Sequence, residues 1–243
     1  MNHTIDTLLA GKIVIHQPVK GFRAGTDSLL LAGAIPEKSG GHYLDVGCGC
    51  GGALLPAAWR LRDTRFTGLD IDAEMAELAL KGIEANNWPD RTTIETGEVS
   101  VWAASHENAF DCVFSNPPYF EPGKIVHPGE GREDAYLETI PLEDWLKAMM
   151  FVAKPRAPII VIHRAAELAR ILAALDRWAG ELTVLPIAPF PGEDANRVLV
   201  RGRKGLKRGR VRLLAPFHVR ERDSSDRFSE QMKSIQAGGV LSW

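Results

Sequence analysis

The chain has 243 residues, 45% of them apolar and 25% charged, with a formal net charge of −2. That length supports a sizeable buried core, and the near-neutral charge excludes a global attraction to nucleic acid, leaving only local patches. No apolar run reaches the length of a membrane span, and the first twenty residues lack the basic start and apolar centre of a signal peptide.

In chain order, residues 12–16 (KIVIH) alternate as a short strand. Thr26 or Asp27 is a suitable N-cap for the apolar run 29–35, a helix ending near Pro36. Residues 43–46 form the first core strand, which runs into a glycine turn (GCGCGG, 47–52) and a helix over 53–61. Strand 66–71 and helix 73–86 repeat the pattern, with Met75, Leu78, Ala79 and Ile83 on one helical face. Residues 92–96 are a third strand and 110–115 a fourth, which must stop at Asn116-Pro117-Pro118-Tyr119. Two prolines remove two backbone donors and push the residue before them out of helical space. Residues 121–139 form a long loop without periodicity, of a length that is usually functional or disordered. Helix 141–153, strand 158–163, helix 165–178, strands 182–187 and 198–200 and a last helix over 225–235 follow. The alternation predicts an α/β fold of doubly wound type: a seven-stranded, mostly parallel sheet with helices on both faces.

The chemistry gathers at strand ends. Gly47, Gly49 and Gly51 let backbone approach a ligand closely, with a helix start behind them. The spacing is not the dinucleotide G-x-G-x-x-G, and no lysine follows as a phosphate-binding loop requires. Asp45 just ahead of the turn disfavours pyrophosphate and suits a cationic ligand. Asp70 ends the next strand, where such folds place a carboxylate on a ribose, and Glu98 follows the third strand. The fourth strand ends in a rigid loop offering an amide, proline carbonyls and an aromatic ring, a set that can hold a flat group bearing –NH2. Cys48 and Cys50 fill small-residue slots and have no second pair, so no metal site is expected. Cys48, Cys50 and Cys112 fit a reducing cytoplasm better than a disulfide framework.

Two motifs carry a resemblance. LDVGCGCG (44–51) resembles the glycine motif of S-adenosylmethionine-dependent methyltransferases, and SNPPYF (115–120) resembles the Asn-Pro-Pro-Tyr signature of those that methylate amino nitrogen. The likeness implies a Rossmann-like methyltransferase fold with S-adenosyl-L-methionine as cofactor. It implies Asn116, Pro117, Pro118 and Tyr119 as the catalytic loop: the Asn116 side-chain oxygen and Pro117 carbonyl accept the N–H bonds of the target amine while Tyr119 stacks on it. FRAGTDSLLLAGA (22–34), RVLV (197–200) and FSEQM (228–232) resemble the bacterial tRNA (adenine-N6)-methyltransferase family. There the Gly25-Thr26-Asp27 step, with Arg23 beside it, lies over the cofactor. Cofactor contacts are accordingly expected at Arg23, Gly25, Thr26, Asp27, Asp45, Gly47, Gly49, Gly51, Asp70 and Glu98.

The resemblance implies residues 1–36 as an extension with a cofactor-capping helix, and 37–243 as the methyltransferase domain, together one compact unit. Glutamine-methylating relatives carry a helical domain ahead of the glycine motif, and only about forty residues stand there, which favours adenine. The stretch 197–212 has eight positive charges and no acidic residue. Read as a hairpin, it would track RNA phosphates through Arg203, Lys204, Lys207 and Arg208. Arg132 in the long loop is a further RNA contact. The expected function is methyl transfer to the exocyclic amine of adenine in RNA, tRNA first, in the cytoplasm, with neither membrane nor metal. The alternatives are a protein-glutamine or DNA-adenine methyltransferase and, from another class, an RNA-binding module without turnover.

Overall fold

The computed structural model describes residues 2–37, 40–119, 140–222 and 227–243. The expected contact Arg132 and the rest of the loop 121–139 lie outside the described residues.

The chain opens with a hairpin, β1 (His3–Leu8) and β2 (Ile13–Pro18), of which only the second strand was expected. Helix α1 (Thr26–Ala34) follows, then β3 (His42–Val46), α2 (Leu54–Arg60), β4 (Arg65–Asp70), α3 (Ala73–Ala85), β5 (Thr92–Thr96), α4 (Val99–Ala103) and β6 (Cys112–Ser115). After residue 140 come α5 (Leu142–Val152), β7 (Pro158–Arg164), α6 (Leu168–Leu175), β8 (Ala179–Ala188), β9 (Arg197–Lys204), β10 (Arg212–Leu213), β11 (Phe217–His218) and α7 (Glu230–Gln236).

The main sheet runs β10-β8-β9-β7-β6-β3-β4-β5, with β11 also paired to β8. Its seven longer strands are those expected; β10 and β11 add two residues each. Strand β9 pairs antiparallel with both β7 and β8, and the remaining pairs are parallel.

Alternation within the strands builds two cores. On β6, Cys112 and Phe114 face the cluster formed with α1, α2, α3 and α7, while Val113 faces the one formed with α4, α5 and α6. On β7, Ile160 and Ile162 face the first cluster and Ile159 and Val161 the second. Burial on both faces explains why these strands read as continuous apolar runs.

The sequence order reverses between β3 and β6: β4 and β5 extend to one side of β3, and β6 starts the other. A crevice opens there at the carboxyl ends of the parallel strands, where ligands of such sheets bind.

One expected element lies elsewhere. Arg197–Lys204 is an interior strand rather than half of an exposed hairpin, with Val198, Leu199 and Val200 buried. The apolar centre is the strand expected over 198–200; what differs is its place inside the sheet, between β7 and β8.

Candidate active site

The glycine turn after β3 is locked to the end of β4. Backbone N–H groups of Gly47 and Cys48 both donate to the Leu69 carbonyl, at 2.8 and 3.0 Å. Gly47, Gly49 and Gly51 have φ of +70°, +54° and +88°, a region costly for residues with a side chain. A Cβ on Gly47 would stand 2.9 Å from the Trp145 ring, which leaves no room for one.

Asp70 ends β4 and holds the turn: its Oδ2 accepts from Gly49 N at 2.7 Å and its Oδ1 from Asp72 N at 3.0 Å. Two hydrogen bonds leave a carboxylate with further acceptor capacity, and Asp70 lines the crevice. Asp45 stands behind the turn rather than in the crevice. It is 2% exposed, accepts from Leu54 N at the start of α2, and its Oδ2 has no hydrogen-bond partner. Burial, then the nearby Asp70, pushes its carboxyl well above the ordinary range. Burial raises Asp70 as well, against the backbone bonds from Asp72, Gly49 and Ile71 that favour its charged form.

Glu98 lines the crevice too, but its carboxylate caps α4, accepting from Ser100 N, Ser100 Oγ and Val101 N at 2.5–3.1 Å. Phe22, Val46, Leu69, Ile71, Asp72, Met75, Gly97, Val99 and Trp145 complete the wall with Gly47, Gly49 and residues 116–119.

The Asn-Pro-Pro-Tyr loop forms the opposite side. Ser115 Oγ donates to the Val46 carbonyl at 2.6 Å and accepts from Trp145 Nε1 at 3.0 Å, tying β6, β3 and α5 together beneath the loop. Tyr119 is 8% exposed and anchors the loop's far end. Its carbonyl accepts from Arg164 Nη2 at 2.8 Å, its ring meets His163 edge-on with centroids 5.0 Å apart, and the Arg197 guanidinium lies 5.1 Å from the ring centre. Burial and Asp27 raise its phenol far above the ordinary range, so it stays protonated.

That single phenolic proton has two oxygen neighbours, Asp27 Oδ2 at 2.8 Å and Asn116 Oδ1 at 2.5 Å. The carboxylate is the stronger acceptor. The contact with Asn116 has an O–H···O length, with the amide oxygen as acceptor, and that oxygen keeps a second lone pair. The Asn116 carbonyl oxygen is then free to accept from a ligand. Asp27 is itself held by Arg197 Nε at 2.9 Å. A series Arg197–Asp27–Tyr119–Asn116 thus fixes the amide. Asp27 does this instead of capping α1, whose N-cap is Gly25 with no side-chain hydrogen bond.

Of the expected cofactor residues, Gly47, Gly49, Asp70 and Glu98 line the crevice, with all four residues of the Asn-Pro-Pro-Tyr loop. Gly51 and Asp45 support the turn from behind; Gly25 and Thr26 start α1 outside the lining. Arg23 points to the N-terminal hairpin, donating to Asp6 Oδ2 at 2.7 Å, Thr4 Oγ1 and the Pro18 carbonyl. Neighbouring Phe22 reaches the crevice in its place. Of the expected RNA contacts, Arg203 and Lys204 end β9 and Lys207 and Arg208 follow it, at the opposite edge of the sheet. Trp145 and Arg197, unassigned in sequence, are built into the site.

The lining suits a positively charged nucleoside. It holds Asp70, Asp72 and Glu98 and no lysine, arginine or histidine among the described residues, with Phe22, Ile71 and Met75 as apolar surface. An anionic phosphate would find no counter-charge there. Among the described residues no cluster of three or more His, Cys, Asp or Glu stands ready for a metal ion, and no helix is long and apolar enough to cross a membrane.

Residues 22–128 match the family model of the methyltransferase small domain. A tRNA1(Val) (adenine(37)-N6)-methyltransferase of Mannheimia succiniciproducens is 34% identical over 126 residues, 51% of this chain and 52% of that protein. The chain thus spans about half the length of this relative and of the similar Salmonella proteins. The enzyme of the same name from Cronobacter sakazakii is 26% identical over 199 residues, 74% of this chain and 81% of that one. A solved structure from Agrobacterium tumefaciens, described as a predicted O-methyltransferase, superposes with a TM-score of 0.72 at 27% identity, covering 89% of this chain and 98% of that one.

Proposed function

We propose, from the chain's membership of the S-adenosylmethionine-dependent methyltransferases, that it methylates the exocyclic amine of adenine in RNA, with tRNA as the substrate class. The observation that carries this reading is the meeting of two unlike walls at the β3/β6 switch point. One is acidic and cation-tolerant, the other a rigid amide-and-carbonyl loop. Adenine in tRNA is favoured over other amines by the likeness to the curated tRNA enzymes. The three cysteines, all buried free thiols, fit a cytoplasmic setting.

The cofactor, S-adenosyl-L-methionine, supplies an electrophilic methyl group on a sulfonium when bound. Gly47 and Gly49 would hold it through backbone that no side chain obstructs, Asp70 and Asp72 through hydroxyl-accepting carboxylates, and Phe22, Ile71 and Met75 through apolar contact. Glu98 contributes negative charge more than free acceptor sites, since α4 takes up its oxygens.

On the substrate side the difficulty is a nitrogen whose lone pair is delocalised into the ring. The Asn116 carbonyl oxygen and the Pro117 carbonyl accept its two N–H bonds, which favours a pyramidal nitrogen with its lone pair directed at the donor's methyl carbon; the methylated nitrogen then releases one of these protons to solvent. Pro118 stiffens the loop so that these oxygens need not reorganise. Orientation and proximity carry the rest, and no covalent enzyme intermediate is required.

Asn116→Ala is the test. Calorimetric titration of the cofactor should give near-normal affinity while turnover is lost. Retained turnover overturns the assignment of Asn116, and no cofactor binding by the unaltered protein favours an RNA-binding module instead.

A further inference from the structure

A second charged feature lies away from the crevice. Around the amino edge of the sheet a groove is lined by seven basic side chains and two carboxylates, on a chain whose overall charge is −2. Several of its cations are taken: Lys154 pairs with Asp111 at 2.8 Å and Arg203 with Glu181 at 3.4 Å, and Arg201 donates to the Trp243 main-chain oxygen. Four others, Arg156, Lys207, Arg210 and Arg212, are exposed and have no ion-pair partner among the described residues. They come from two separate segments, the turn before β7 and the stretch from the end of β9 to the first residue of β10. Burial, then crowding by Arg212 and Arg203, pushes the Arg201 guanidinium down, as expected of a cluster short of counter-charge.

This sorting differs from the one read in the sequence. Lys204 spends its ammonium on Asn108 Oδ1 and the carbonyls of Phe151 and Ala153, all within 3.1 Å. Arg208 pairs with Asp176 at 2.9 Å. Of the four contacts expected in that stretch, Lys207 alone lines the groove and makes no ion pair or side-chain hydrogen bond among the described residues.

We propose that this groove binds the phosphate backbone of the substrate RNA, at a distance from the base that enters the crevice, through Arg156, Lys207, Arg210 and Arg212. The proposal rests on RNA being the substrate. Strand β9 links the two places: Arg197 touches Tyr119 and Asp27 at one end, and Arg203 lines the groove at the other. Six residue steps of about 3.3 Å put the two about 20 Å apart. An RNA with a structured body spans that distance, whereas an oligonucleotide of a few residues does not. Phosphate contacts fix orientation without reading sequence, so the groove would select for RNA size and shape and leave the choice of base to the crevice.

The test is fluorescence anisotropy of a labelled whole-tRNA transcript over a potassium chloride series, with methyl transfer measured in parallel. The variant Lys207→Gln/Arg210→Gln/Arg212→Gln should lower the slope of log K against log salt by about 2–3 and weaken binding at least tenfold, about 0.7–0.9 of slope per lost contact. Arg156→Gln, on the other segment, should lower the slope by about one. Arg208→Gln should bind as the unaltered protein does. For an adenine dinucleotide, too short to reach the groove from the crevice, the triple variant should match the unaltered protein in affinity. All these side chains are exposed, so melting temperatures should stay unchanged. An unaltered slope in the triple variant, while tRNA is methylated, overturns the groove and leaves the substrate reading standing. tRNA binding lost in the triple variant, with methyl label appearing only in protein or DNA, supports the groove and overturns the substrate. No tRNA binding by the unaltered protein overturns both.

Discussion

Replacing Tyr119 by phenylalanine removes one oxygen and keeps the ring, and so isolates the contact that orients Asn116. The lost hydroxyl donates to the Asp27 carboxylate at 2.8 Å and lies 2.5 Å from the Asn116 amide. A hydrogen bond to a charged group contributes about 1.5–3 kcal/mol net, and a neutral one about 1. Without the phenol the Asn116 side chain loses the hydrogen bond that holds it in place, and the productive geometry must be ordered at the expense of transition-state binding. A penalty of about 1.4–2.8 kcal/mol on the productive geometry lowers the chemical rate about ten- to a hundredfold. Cofactor affinity should stay within about twofold, because the acidic wall is untouched. Asp27→Asn should lower the rate by a similar factor, since the phenol loses its charged acceptor. Because both act through one series of bonds, the double variant should be no slower than the slower single variant. Single-turnover methyl transfer at saturating cofactor, with calorimetric Kd for the cofactor, measures all of this. Rate losses that multiply in the double variant would refute the series, as would an unchanged rate in Tyr119→Phe.

Gly47→Ala should weaken cofactor binding by tenfold or more, since the new methyl group meets the Trp145 ring at 2.9 Å in backbone with φ of +70°; equilibrium titration reads this directly. Gly47→Ala/Trp145→Leu should recover only part of the loss, because the backbone cost of about 1–2 kcal/mol remains. His163 should contribute a loss of stability as pH falls from 6.5 to 4, opposite in sign to the buried Asp45, whose raised carboxyl favours the folded state on acidification. Burial lowers the pKa of His163 from 6.5 to about 4, against the pull of Glu167 and the Pro118 carbonyl. Between these values the unfolded chain carries the extra proton, so stabilisation present above pH 6.5 is lost on acidification, by about 3 kcal/mol. Urea unfolding at pH 7 and pH 4.5 should show this, and His163→Phe should flatten the dependence; an equal slope in that variant would contradict the assignment.

The parts of the site legible in the sequence are those where backbone chemistry is local. Pro117 and Pro118 end β6 wherever the chain goes, and three glycines in five residues announce a turn that no side chain can enter. Asp70 and Glu98 were placed by strand order, because parallel strands deliver their carboxyl ends to one edge. The contact of Asp27 with Tyr119 joins residues 92 apart in sequence, and no local rule indicates it. Asp27 reads as a helix cap because aspartate before an apolar run usually is one; tertiary contact with Arg197 and Tyr119 outweighs that propensity here. Trp145 gave no signal, since a tryptophan in the first turn of an amphipathic helix reads as core until the glycine it packs against is known. The basic stretch misled for a related reason. Strand 198–200 was expected, but composition does not show which of its charged neighbours are engaged within the fold, as Lys204 is with Asn108 and Arg208 with Asp176.

The most direct measurement is transfer of a tritiated methyl group from S-adenosyl-L-methionine to separate tRNA, DNA and protein fractions, followed by nucleoside and amino-acid analysis of whatever becomes labelled. The proposed function predicts label in tRNA, recovered as N6-methyladenosine, and its disappearance with Asn116→Ala. Label recovered in methylglutamine, in DNA, or on an oxygen of any acceptor would contradict it.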